Sequence, residues 1–281
     1  MRRALSMFAG LCSIAWSWGA WAAPTSGRLK VLSYNIAGLP DGFMTAHPSR
    51  NMPLIGPLLG RYDLVFVQED FAYGSELRRG VTLPFQSPAF VRGEQWNFGD
   101  GLSYFSRLEV SALRREPWRA CHGMVDSYFD CLTPKGFTSA RVQLAEGVEV
   151  DVYNVHLDAG NGELDLKARV AQVEQLVAAI RERSAGRAVL LAGDTNIPTQ
   201  QRALLARLSE ELELVDACVA LRCPDTRRID RVFFRDSAAL DWTPRKWSVD
   251  RRFVDGRQRP LSDHSAVAVE LDWRRVAASS G

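Results

Sequence analysis

The sequence predicts an α/β fold in which two mixed β-sheets pack face to face and helices flank them, a four-layer sandwich. Three observations lead there: short β-branched segments recur along the chain, helical patterns lie between some of them, and neighbouring strands form hairpins. The strand-like segments are Leu29 to Tyr34, Asp63 to Val67, Leu102 to Phe105, Phe137 to Leu144, Val148 to Val155, Ala188 to Ala192, Arg231 to Phe234 and Ala266 to Leu271. The clearest helix runs from Leu164 to about Arg183, where Leu166, Val170, Val173, Val177 and Ile180 recur at helical spacing, with Lys167, Glu174 and Arg181 on the other side. Shorter helices are predicted near Pro53 to Leu59 and Gln200 to Leu208. Phe137 to Leu144 and Val148 to Val155 read as a hairpin, which makes the sheets mixed rather than purely parallel.

The chain opens with an export signal. Arg2 and Arg3 supply a charged start, Leu5 to Trp18 is largely apolar, and Ala20-Trp21-Ala22 offers a cleavage site, so residues 1–22 read as a signal peptide. The rival, a transmembrane anchor, needs roughly 20 apolar residues, more than this stretch has. No Pro/Ser/Gly-rich spacer, charge block or repeat divides the remainder, and residues 23–281 read as a single domain in a secreted or periplasmic protein. Removing the signal takes two arginines and no acid, leaving 33 basic residues of the original 35 against 33 acidic ones. A neutral chain has no global field to steer polyanions, so attraction to nucleic acid or anionic lipid must come from local patches. Four cysteines remain, Cys121 near Cys131 and Cys218 near Cys223. Three pairings are open, and two local disulfides need the least chain closure. A thiol metal site is the competing reading, but neither spacing resembles a zinc knuckle. No association signal stands out, which makes a monomer the default.

Between Val148 and His156 the valines alternate with Glu149, Asp151 and Tyr153, so they share a buried face that Asn154 and His156 continue to the strand's end. Side chains there are held by a rigid sheet yet open to the groove beyond. Comparable strand ends carry Tyr34-Asn35-Ile36, Val67-Gln68-Glu69, Gly193-Asp194-Thr195-Asn196, Ile229-Asp230-Arg231 and Ser262-Asp263-His264. Each alone reads as a turn or cap. In this order, together with Asn154-Val155-His156-Leu157-Asp158, they resemble the endonuclease/exonuclease/phosphatase superfamily, whose members include deoxyribonuclease-I-like nucleases, inositol phosphatases and bacterial neutral sphingomyelinases. Asp100-Gly101-Leu102, Ser106-Arg107 and Lys135-Gly136-Phe137 look like the corresponding stretches of secreted sphingomyelinases, while the Trp-Cys that precedes the Asp-Arg pair in inositol phosphatases is absent before Asp230.

The resemblance implies a Mg²⁺-dependent phosphodiesterase, with Mn²⁺ or Co²⁺ as substitutes, and gives roles to particular residues. Glu69 is the first choice of metal ligand, because a hard cation takes carboxylate oxygen and keeps waters for substrate phosphate; Asn35 supports it or contacts phosphate, and Asp263 faces the metal or the water. Asp194 holds or orients the attacking water and Asn196 bonds a phosphate oxygen, the plainer alternative being an Asx-turn before Pro198. His264, oriented by Asp230, and His156 handle protons or phosphoryl charge. Asp158, Arg169 and Gln172 steady the loop after His156 or decorate an ordinary helix, and His47 and His122 have no assigned role. Trp242, Arg245, Lys246, Trp247, Arg251, Arg252 and Phe253 interleave aromatic and cationic side chains. This suits a lipid headgroup layer, a nucleic-acid backbone, or a strand pair whose tryptophans pack inward. The expected function is therefore a sphingomyelinase-like phospholipase C acting on phospholipid at a membrane surface. A secreted deoxyribonuclease-I-like nuclease acting on nucleic acid is the alternative, and a catalytically dead exported binding module the second.

Overall fold

The computed structural model describes residues 24–43, 46–88, 99–123, 130–133, 135–224 and 228–277. The expected signal peptide, residues 1–22, lies outside the described residues. In chain order the elements begin with β1 (Ser26–Asn35), α1 (Pro48–Leu59), β2 (Leu64–Gln68), α2 (Gly74–Gly80), β3 (Phe85–Gln86), β4 (Ser103–Ser106), β5 (Val110–Pro117), β6 (Gly136–Ala145) and β7 (Val148–His156). They continue with α3 (Glu163–Arg183), β8 (Val189–Asp194), a 3₁₀ turn at Thr199–Gln201, α4 (Arg202–Leu212), β9 (Val215–Asp216), α5 (Ala217–Ala220), β10 (Asp230–Arg235), β11 (Leu240–Val249) and β12 (Val267–Arg275).

The strands form two six-stranded sheets, ordered β11-β12-β1-β2-β4-β3 and β5-β6-β7-β8-β10-β9. Each contains one parallel pair, β1 with β2 and β7 with β8, and the other pairings are antiparallel. Parallel neighbours cannot be joined by a tight turn. α1 makes the first crossover and α3 the second, and each helix then packs on the outer face of its own sheet. Pro48 lies in the first turn of α1, where a missing backbone N–H removes no hydrogen bond, so the helix begins more than a turn ahead of the predicted Pro53.

Alternation along the strands makes three apolar layers. Val31, Phe66, Tyr104 and Val269 of the first sheet meet Val150, Val152 and Val232 of the second between the sheets. The opposite faces of the same strands carry the flanking layers. Tyr153, Val155 and Leu191 pack on Val173, Leu176 and Ile180 of α3, while Leu32, Tyr34, Val65 and Val67 pack on Met52, Ile55 and Leu59 of α1. The expected four-layer sandwich is the fold observed.

Strands that the sequence pattern did not announce, β3, β5, β9 and β11, lie at sheet margins. A margin strand pairs on one side only, and β5 and β11 also carry charges, proline and register irregularities that discourage pairing with another chain and blur the alternation. β11 answers the question left by the aromatic and cationic segment. Trp242 is buried and Trp247 packs against the layer between the sheets, so the tryptophans point inward and the cations outward. Phe253 stands edge-on to Tyr34 with ring centres 4.8 Å apart. Both local disulfides form, with Cα separations of 5.4 Å for Cys121–Cys131 and 5.0 Å for Cys218–Cys223.

Phe66 is fully buried between the sheets, edge-on to Tyr104 at 5.4 Å. Phe66→Ala is expected to cost about 3–5 kcal/mol in urea unfolding. Val219→Ala, at an exposed position, should stay within about 0.5 kcal/mol. Equal midpoints for the two variants would contradict a shared core between the sheets.

Candidate active site

Both parallel pairs end at the same edge of the sandwich, which is where ligand crevices form in α/β sheets. Asn35 ends β1 opposite Gln68, the last residue of β2. On the second sheet His156 pairs with Asp194, and Asp194 with Asp230, so three adjacent strands set these side chains in one row. Such strands lie roughly 5 Å apart. His264 enters from the loop before β12.

Local backbone fixes several of these positions. Gly193 has φ +147°, and a Cβ there would meet the Val155 carbonyl oxygen at 2.0 Å, so only glycine lets β8 approach β7 beside Asp194. A Cβ on Gly38 would meet the Glu69 carbonyl oxygen at 2.1 Å; glycine lets the loop after β1 close on Glu69 through a 3.0 Å Gly38 N–H bond. Glu69 and Asn196 themselves hold φ of 60° and 46°. Left-handed backbone at such residues costs of order 1–3 kcal/mol and persists where surrounding contacts enforce it.

Asn35 Nδ2 donates to Glu69 Oε1 at 2.8 Å and to Asp194 Oδ2 at 3.1 Å, tying the two sheets' carboxylates together. Its Oδ1 accepts from Ala37 N–H at 3.0 Å. His264 Nδ1 lies 2.9 Å from Asp230 Oδ2, and its Nε2 is 3.7 Å from Asp194 Oδ2. From the other side His156 Nε2 is 3.4 Å from the same Asp194 oxygen and 3.8 Å from Glu69 Oε1. One carboxylate oxygen therefore stands between two imidazoles.

The two rings differ in charge. Burial by itself lowers the His264 pKa, but Asp194, Asp230 and the Asp230 hydrogen bond outweigh it and lift the ring to about 10. His156 is pushed well below 6.5 by complete burial, with Lys135 and His264 adding repulsion, so its carboxylate contacts are those of a neutral ring. Burial raises Asp194, partly offset by His264 and reinforced by Asp230. Burial likewise raises Glu69, against the pull of Lys135.

This donor set fits a hard divalent cation. Asp194, Asp230 and His264 offer ligand atoms within 4.8 Å of one another, and among the described residues they form the cluster of this kind. Asp230 Oδ1 is buried without a hydrogen-bond partner. Crowded, buried carboxylates such as Asp194 and Glu69, both pushed up by burial, favour a positive charge beside them.

Two further expected residues have contacts of their own. Asp263 is exposed beside His264, with its carboxylate 3.4 Å from the Ser262 hydroxyl, which also donates to the Asn35 carbonyl at 2.7 Å. Asn196 Nδ2 donates to the Leu157 carbonyl at 2.9 Å, and its backbone N–H donates to Asp194 Oδ1 at 3.0 Å, so the Asx-turn forms and steadies Asp194. Lys135 opens the Lys-Gly-Phe stretch that resembles secreted sphingomyelinases. It is buried, ion-paired with Asp130, and its charge acts on Glu69, His156 and Asp194. A lysine before Gly-Phe at a strand start carries no local signal of burial.

The loop after His156 is held from α3. Arg169, fully buried, donates through Nη1 to the carbonyls of Asp158, Ala159 and Gly160 at 2.8, 3.0 and 2.9 Å. Gln172 Oε1 accepts from Asp158 N–H at 2.8 Å. Trp118 Nε1 donates to the His156 carbonyl at 2.7 Å. These contacts match the steadying role rather than an ordinary helix surface.

Comparison with known proteins gives a family and the same fold. The sequence profile of the Endonuclease/Exonuclease/phosphatase family matches residues 32–264. The Sphingomyelinase of Mycobacterium tuberculosis is 32% identical over 270 residues, covering 88% of this chain and 53% of its own length, so the chain spans about half of that relative. Among solved structures, a beta toxin variant from Staphylococcus aureus with bound magnesium ions superposes with a TM-score of 0.64 at 17% identity, covering 86% of this chain and 99% of that one. TDP2 of D. rerio in complex with a single-strand DNA product gives 0.67 at 19% identity, covering 87% and 98%.

A cation and the His264 imidazolium compete for the same carboxylates. Proton NMR of the metal-free protein should find a histidine titrating near pH 10, and saturating Mg²⁺ should lower it. The stabilisation from this group is complete below the unfolded value of about 6.5 and fades as pH rises through 10. A pKa unmoved by metal would refute the shared carboxylates.

Proposed function

We propose that this chain, which belongs to the endonuclease/exonuclease/phosphatase family, is a Mg²⁺-dependent phosphodiesterase that hydrolyses sphingomyelin or a related phospholipid in the manner of a phospholipase C. The observation that carries this reading is the placing of His156 and His264 on either side of one Asp194 oxygen, with Asp230 behind His264. Phosphodiester hydrolysis needs one group to take the proton of an attacking water and others to meet charge on the phosphoryl oxygens.

With Asp194 neutralised by a cation, His264 would lose the main charge that keeps it protonated; the ring, then neutral, takes that proton on Nε2, and Asp230 on Nδ1 fixes the tautomer and stabilises the imidazolium that results. His156, held neutral, offers an Nε2–H hydrogen bond to a phosphoryl oxygen rather than a full proton; of the two roles expected for it, its lowered pKa favours this one. Asp194 and Asp230 of the clustered donors, with Glu69 beside them, would hold the divalent ion through carboxylate oxygen, leaving His264 for the proton, and Asn35 spaces Glu69 from Asp194. When bound, the ion neutralises developing phosphate charge and eases departure of the leaving oxygen. The mycobacterial relative supports sphingomyelin as substrate. The two disulfides support an oxidising, exported location.

The reading is tested by offering sphingomyelin, phosphatidylcholine and supercoiled DNA side by side, with Mg²⁺ and with chelator. Phosphocholine release that chelator abolishes is expected. His264→Ala should lower turnover by about a hundredfold to ten-thousandfold, and His156→Ala should fall in the same range. DNA nicking without phosphocholine release would replace this reading with the nuclease one.

A further inference from the structure

The catalytic cluster occupies one edge of the sandwich, but the outer face of the first sheet is only partly covered. α1 packs over Leu32, Tyr34, Val65 and Val67. Beyond that cover, β1, β12 and β11 leave a groove of about 780 Å³ on the outer face.

Its lining is cationic. Lys30, Arg61, Lys246 and Arg251 are exposed there. None of the four has a side-chain hydrogen bond or ion pair among the described residues, whereas Arg28, Arg245 and Arg274 nearby each hold a carboxylate. Arg252 also lines the groove, but it is paired with Asp250 at 2.6 Å. The other acid is Glu270, 3.6 Å from Arg28. Five cations thus face two carboxylates, in a chain that as a whole nets only +2. Unpaired like charges on one face repel one another and destabilise the fold slightly; an anionic surface relieves that repulsion.

We infer that this bare sheet face docks the protein on a membrane containing anionic phospholipid. The inference rests on the lipid reading above. A planar layer of headgroup phosphates suits a broad sheet face, and each lysine or arginine near such a surface contributes about 1 kcal/mol, close to fivefold in partitioning. A single-stranded nucleic acid would instead want exposed rings for stacking, and the aromatic neighbours here, Tyr62 and Trp247, are turned into the protein. The face also adjoins the catalytic edge. Val249, which lines the groove, pairs with Val267, the first residue of β12 and three residues past His264, at most roughly 10 Å of chain.

The test is flotation with vesicles of phosphatidylcholine alone and with about one third phosphatidylglycerol, at low and high salt. Wild-type protein should favour the anionic vesicles and release as salt rises. The triple variant Lys30→Gln, Lys246→Gln, Arg251→Gln should lose about a hundredfold in partitioning, while its thermal melt and its hydrolysis of sphingomyelin in neutral detergent micelles stay at wild-type levels. Equal partitioning of variant and wild type, or no preference of wild type for anionic vesicles, overturns the docking surface. DNA binding that the triple variant loses while its vesicle partitioning persists would reassign the face to nucleic acid. Wild-type protein that partitions as expected but leaves micellar sphingomyelin intact upholds the surface and sinks only the substrate reading.

Discussion

Asp194 places a carboxylate with 1% of its surface exposed where the two sheets meet, and the geometry around it follows from the cost of keeping a charge there. An unpaired buried carboxylate costs several kcal/mol. Here one oxygen takes Asn35 from the opposite sheet, with both imidazoles beside it, while the other accepts the Asn196 N–H. The ligands come from β1, β7, β8 and the loop before β12, so the charge is tolerable only when the sheets are correctly stacked.

Polar bridges beneath the site hold that stacking. Gln68 Nε2 donates to Asn154 Oδ1 at 2.7 Å, and Asn154 Nδ2 returns to the Val67 carbonyl at 2.9 Å. Tyr104 sends its hydroxyl across to the Thr138 carbonyl at 2.9 Å. Apolar burial alone is not directional and would let the sheets slide. These buried bonds fix the distance between Glu69 and Asp194, and each lost partner would strand a polar group without solvent.

Division of labour among the surfaces follows the same logic. The edge with the strand ends holds groups whose charges are tuned by burial. The outer face beyond α1 holds charges left to solvent. Tryptophans that could have met a bilayer serve instead to fill the layer between the sheets at its β11 margin, where Trp242 and Trp273 lie side by side in register.

The sequence by itself determined the elements with periodic burial: α3, the interior strands, and the alternation that carries Asn154 and His156 to the end of β7. It also named Asn35, Glu69, His156, Asp194, Asp230 and His264 as candidates, because strand-end motifs in that order resemble those of a known family. Only the tertiary structure decided that β11 faces its tryptophans inward, that Asp263 is left exposed, that Lys135 is buried with its charge acting on the carboxylates, and that Arg169 braces the loop after His156. The reason is physical. Alternation reports which face of an element is buried, but not what the opposite surface will be. Pairing distances, the charge state of a histidine and the exposure of a margin strand depend on residues far away in the chain, whose positions are fixed only once the sheets have closed on each other.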